Sequence, residues 1–144
     1  MSATLQAGLQ HASCVDFDGQ GVLILGASGS GKSSLALGCI SLGAVLVGDD
    51  YVDLSVSENR IIATRPPNIA GLIEVPRVGV LNCNFVEYTH LVWAIDMSQA
   101  EVDRLPPRRK IRLQNCEIPL IYGANIPNLH SVAYQLITAG RADV

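Results

Sequence analysis

The sequence predicts a mixed α/β fold: a central β-sheet, a helix that follows a glycine-rich loop, and a second helix near the C-terminus. Three observations predict it. A short apolar run at residues 21–25 meets the loop GASGSGKS, and a periodic helical pattern follows. Short apolar or alternating runs recur between turn signals over residues 44–95. Near the end, Leu129, Val132, Ala133, Leu136 and Ile137 stand at i, i+3, i+4, i+7 and i+8, the stripe of an amphipathic helix.

Residues 5–17 read as one strand, closed by the turn at residues 18–21, so a hairpin leads into the buried strand 21–25. After Lys32, the residues Leu35, Cys39 and Leu42 form one apolar stripe, and Gly43 suits a left-handed helix end. Residues 44–47 read as the next strand, and strand-loop-helix-strand order favours a parallel pair with a right-handed crossover. Residues 51–65 alternate around a turn at residues 57–59, which predicts an antiparallel hairpin. Beyond Pro66 and Pro67 come short apolar runs at 72–75, 78–81 and 91–95. Pro106 and Pro107 then precede a basic cluster at residues 108–110. Asn128 is placed to cap the last helix and Gly140 to end it.

With 144 residues, 49% hydrophobic and 16% charged, the chain can build one core but not two, and residues 1–144 read as a single domain. A formal net charge of −3 gives no global attraction to nucleic acid or to an anionic membrane. No apolar run reaches the ~20 residues of a membrane span, and MSATLQAGLQHAS lacks a signal-peptide pattern, so a cytoplasmic location is expected. Cys14, Cys39, Cys83 and Cys116 are widely spaced with no CxxC pair. They read as reduced, mostly buried thiols rather than a zinc site or disulfide framework.

Gly26, Ala27, Ser28, Gly29, Ser30, Gly31, Lys32 and Ser33 fit G-x-x-x-x-G-K-[ST] without a mismatch. Such a P-loop curls so that backbone N–H groups converge on phosphate oxygens at a helix N-terminus. Lys32 is placed for the β- and γ-phosphates, and Ser33 for a magnesium ion that bridges them. A loop that binds does not transfer. For chemistry, Asp49 and Asp50 follow the strand at 44–47, at the carboxyl edge where the loop also sits, well placed for base and metal work. Glu74 is either a surface point of an alternating strand or an inward metal ligand. His11 alone reads as an ordinary strand histidine. Arg104 and the cluster at 108–110 are either a solvated face, a phosphate clamp or a dock for an acidic surface.

The stretches GVLILGASGSGKSSLAL, LGAVLVGDDYVDL and GLIEVPRVGVLN, together with His11 at the family's distance before the loop lysine, resemble the catalytic domain of the HPr kinase/phosphorylase family. The resemblance covers most of residues 11–125. It implies a fold like that domain, of the PEP carboxykinase-like type, and a serine kinase acting with ATP and Mg²⁺, or with pyrophosphate as donor. The acceptor would be HPr or a related phosphocarrier of the phosphotransferase system, and the family's hexamer makes a homo-oligomer conceivable. It further implies Asp50 as the group exchanging a proton with the target serine, Asp49 in support, and His11 and Arg104 in the active site. Ser33 and Glu74 would hold the metal. Pro76 replaces a family arginine in EVPRVG, which leaves that arginine's role without a match; Ile121 and Ala124 stand in PLIYGAN at the two arginine places the family links to dephosphorylation, which puts phosphorylase activity in doubt. A P-loop kinase for another peptide or small molecule, and a nucleotide-binding module without transfer, remain the alternatives.

Overall fold

A computed structural model describes residues 3–144. In chain order the first elements are β1 (Ala3–Thr4), β2 (Gly8–Gln10), β3 (Ala12–Phe17), β4 (Gln20–Leu25), α1 (Lys32–Ser41) and β5 (Val45–Gly48). There follow β6 (Val52–Ser57), β7 (Arg60–Thr64), β8 (Leu72–Val75), β9 (Gly79–Asn82), β10 (Tyr88–Asp96), β11 (Arg109–Leu113), β12 (Cys116–Tyr122) and α2 (Leu129–Ala139). The fold is the mixed α/β arrangement expected, with ten strands in one sheet and β8–β9 as a separate hairpin.

The β3–β4 hairpin forms because Asp18 and Gly19 both take positive φ, 49° and 87°, the two-residue turn whose twist suits antiparallel neighbours. Residues 5–17 do not form one strand. The chain breaks at His11, sending β2 to pair with β6 while β3 pairs with β4 and β5. The order β10-β4-β3-β5 also corrects the expected parallel neighbours around α1. Strands β4 and β5 run the same way, but β3 lies between them, antiparallel to both. The hairpin has taken the adjacent slot, so the crossover through α1 skips one strand.

Both faces of this sheet are covered, and period-two alternation sorts the side chains. From β3 and β4, Val15, Phe17, Val22 and Ile24 face α1 and α2. Cys14 and Leu23 face the opposite layer, where Leu54, Ile61, Ile111 and Leu113 close the core. The two helices approach closely at Gly38, where a Cβ would lie 2.7 Å from that of His130. No larger residue fits there without moving α2.

Helix α1 ends one residue before the last position of its stripe: Leu42 is its C-cap and 38% exposed, while Ala36 joins Leu35 and Cys39 in the core. Gly43 has φ 105°, as its place after the helix requires. Asn128 precedes α2 as expected, yet it caps with its carbonyl and a left-handed backbone (φ 53°), not with its side chain. The β11–β12 hairpin was not anticipated. Its alternation, Ile111, Leu113, Ile118 and Leu120, is buried in the core, but the arginines and Pro119 interleaved with it mask the signal. All four cysteines are free, with Cys83 alone not fully buried. No helix among the described residues is long and apolar enough to cross a membrane.

Candidate functional site

The register brings the relevant chain ends to one sheet edge. Leu25, the last residue of β4, pairs with Ala12 at the start of β3 and with Asp96 at the end of β10. Gly48, the last residue of β5, pairs with Cys14. The glycine loop, His11, Ser13, Asp49, Asp50 and Asp96 therefore emerge together, which is why this edge of an α/β sheet carries the chemistry.

Asp49 is the hub. Its Oδ1 accepts hydrogen bonds from Ser33 Oγ at 2.7 Å and Ser13 Oγ at 2.9 Å, and its Oδ2 accepts from the Glu74 amide at 3.3 Å. One carboxylate thus ties the loop helix α1, strand β3 and hairpin β8–β9. Asp50 stands beside it with φ 76°, a left-handed backbone that Asp tolerates better than most residues. Its amide donates to Ser13 Oγ at 3.2 Å, and its Oδ1 meets His11 Nε2 at 2.7 Å. The turn preceding it needs Gly48, because a Cβ there would lie 2.5 Å from the Tyr51 carbonyl oxygen.

Lys32 is only 6% exposed and donates from Nζ to the carbonyls of Gly26 and Ala27 at 2.8 and 3.1 Å. The loop is braced from β10 as well. The Ala27 amide donates to Ser98 Oγ at 2.9 Å, and the Ser98 amide donates to Asp96 Oδ1 at 2.9 Å. A cleft of about 410 Å³ opens over this assembly, lined by Ser28, Gly29, Gly31, Lys32, Ser33, Asp49, Asp50 and Glu74 among others.

The structure therefore brings His11, Lys32, Ser33, Asp49, Asp50 and Glu74 to one place. Arg104 is exposed on the loop after β10 and does not line the cleft. No cluster of three His, Cys, Asp or Glu side chains among the described residues could hold a metal. The oxygens that fit a hard cation are the Ser33 hydroxyl and the Asp49 and Glu74 carboxylates, too few alone for a closed protein cage, as for magnesium sites completed by phosphate and water. Sequence reasoning missed Ser13 and Ser98. Each is a small polar residue whose role comes from its neighbours in the sheet and not from any spacing.

A glycine loop of P-loop pattern between a central strand and the first helix, with an acidic pair at the same sheet edge, defines a phosphate-loop α/β fold. Comparison with known proteins makes this specific. The family model of the HPr serine kinase C-terminal domain matches residues 4–93. The HPr kinase/phosphorylase of Caldicellulosiruptor bescii is 42% identical over 74 residues, 51% of this chain and 24% of that protein. The same-named protein of Thermoanaerobacter sp. (strain X514) is 44% identical over 73 residues, 50% of this chain and 24% of its own. The structure of the Hpr(Ser) kinase/phosphatase from Coxiella burnetii has a TM-score of 0.77 and 28% identity, covering 90% of this chain and 93% of that one. The chain belongs to the HPr serine kinase C-terminal domain family. Its alignment spans about a quarter of the length of these curated relatives.

Proposed function

We propose that residues 1–144 form one cytoplasmic kinase domain that transfers the γ-phosphoryl group of ATP, with magnesium, to a serine of HPr or a related phosphocarrier. The observation that carries this is Asp50, paired with His11, lining the same cleft as Lys32 and Ser33.

The loop amides and Lys32 would receive the phosphate chain, with Lys32 turning from the Gly26 and Ala27 carbonyls to the phosphate oxygens. Ser33, Asp49 and Glu74 fit magnesium, which when bound would neutralise charge on the phosphates. Ser33 donates its proton to Asp49, which leaves its oxygen lone pairs free for a cation. Asp50 would accept the proton of the incoming serine hydroxyl as its oxygen bonds to the γ-phosphorus, while the bond from that phosphorus to the β,γ-bridging oxygen breaks and ADP leaves. His11 would hold the Asp50 carboxylate toward the acceptor. Pyrophosphate could serve as donor by the same contacts. Ile121 and Ala124 stand where the resemblance expects the arginines linked to dephosphorylation, so transfer in the forward direction is the proposed activity.

Incubation with ATP, Mg²⁺ and purified HPr, read by intact mass and phosphoserine mapping, tests the proposal. Asp50→Asn should lower the transfer rate by about 10²–10⁴-fold. Absence of phosphoserine with the native chain, or an unchanged rate in Asp50→Asn, would overturn it. A second reading, a nucleotide-binding module without transfer, is favoured by the position of Arg104 outside the cleft lining. It predicts thermal stabilisation that scales with Mg-ATP concentration and no phosphorylated acceptor.

A further inference from the structure

β12, α2 and the Pro106-Pro107 loop line a half-open cavity of about 180 Å³ that shares no lining residue with the P-loop cleft. Its wall is hydrocarbon: Leu120, Ile121, Ile126, Val132 and Leu136 contribute, with the two prolines at one side. Two guanidinium groups reach it, and they differ in their commitments.

Arg109 is fully engaged. It forms a two-pronged pair with Glu101, Nε to Oε2 at 3.1 Å and Nη2 to Oε1 at 2.9 Å, and lies 4.1 Å over the Tyr122 ring. The neighbouring Arg108 is held by Asp143 and the Ala142 carbonyl, both at 2.9 Å. Arg141 has neither arrangement. Its guanidinium rests 5.3 Å from the centre of the Trp93 ring, its Nε is buried without an acceptor, and no carboxylate among the described residues pairs with it. Burial, and then the nearby Arg108, draw its pKa below the ordinary arginine value, as expected for a cation lacking its counter-charge.

Arg141 lines this cavity without a carboxylate partner among the described residues, and a planar carboxylate is the group whose geometry matches the open edge of a guanidinium in two-pronged fashion. The adjoining wall has nothing to offer a hydrated polyanion but suits a compact hydrocarbon. A space of about 180 Å³ takes a small organic acid and not a drug-sized molecule, whose sites run to about 300–1,000 Å³. We propose that this cavity binds a small branched monocarboxylate, with the carboxylate on Arg141 and the hydrocarbon body among Leu120, Ile126, Val132 and Leu136.

Trp93 is the only tryptophan in the chain, so its emission reports on Arg141 directly. The full chain is titrated with 3-methylbutanoate, with acetate and 3-methylbutan-1-ol as controls. The expected result is a saturable change with 3-methylbutanoate and binding at least about tenfold weaker for either control, since each lacks one half of the recognition. Arg141→Gln should weaken binding about tenfold or more. Because that variant also alters the tryptophan's neighbour, methyl NMR shifts of Val132 and Leu136 give a second readout. Leu136→Phe, which fills the cavity and keeps Arg141, should abolish the response. No saturable response to 3-methylbutanoate, equal affinity for acetate or the alcohol, or unchanged binding in Arg141→Gln would each overturn the proposal. None of these outcomes depends on the kinase assay.

Discussion

Replacing Asp49 with alanine tests the hub of the site through stability alone, without substrate. Three bonds are lost, and their environments set the size of the effect. Ser13 is fully buried, at 0% exposure, and leaving its hydroxyl without an acceptor costs about 1–3 kcal/mol. Ser33 is partly exposed and its hydroxyl can turn to water, for a loss of about 1 kcal/mol. The Glu74 amide is exposed at 3.3 Å and contributes little. Against this, removing Asp49 relieves repulsion from Asp50 and Glu74, which line the same cleft. Both are exposed, so water limits that relief to about 1 kcal/mol. The net loss is about 1–3 kcal/mol, or about 3–9 °C at roughly 3 °C per kcal/mol for a chain of this size. Asp49→Asn keeps an oxygen for the two serines and should fall between native and Asp49→Ala. Thermal unfolding followed by circular dichroism, in buffer free of nucleotide and divalent cations, measures the order. Either variant melting above the native chain would show that carboxylate repulsion, not hydrogen bonding, governs this corner.

Other outcomes follow from single contacts. Ser98→Ala removes the brace on the Ala27 amide and should raise the KM for ATP several-fold with a smaller effect on kcat; an unchanged KM would exclude Ser98 as a positioning residue. A thiol reagent at neutral pH should modify Cys83 first. Burial pushes the Cys39 thiol up to about 12, and Cys14 is raised further, so these should react only on unfolding, as mass spectrometry of labelled peptides would show. Glu101 is held below its ordinary carboxyl value of 4.5, first by the side-chain hydrogen bond from Arg109. Its contribution to stability is thus fully present above that value and disappears as pH falls through the lowered one. Glu101→Gln should therefore melt below the native chain near neutral pH and level with it in strong acid.

The loop, both helices and the two hairpins around Asp18-Gly19 and Glu58-Asn59 are legible because local chemistry dictates them: positive-φ turns, 3.6-residue stripes and a glycine pattern. The strand order is not local. Nothing in residues 12–25 says that the hairpin will take the slot between β4 and β5, since that depends on how the whole sheet buries both faces. Hairpin β11–β12 is hidden for a similar reason. Pro119 and the interleaved charges look wrong for a strand, and only the pairing of Leu120 to Tyr122 with β10 makes β12 an interior one. Within the site, the acidic pair is visible from its offset to the loop. Ser13 and Ser98 are not, because a serine in an apolar strand or a turn carries no pattern until sheet register supplies its partner.

The backbone at position 50 has an evolutionary implication. A φ of 76° is comfortable for glycine, asparagine and aspartate and for few others, and of these only aspartate can accept a proton near neutrality. If Asp50 is the base proposed above, the easiest drift at this position therefore ends in a well-folded but inert descendant. Inactive copies of such a chain would express and crystallise as readily as working ones, so a single residue is more informative than overall resemblance when sorting them.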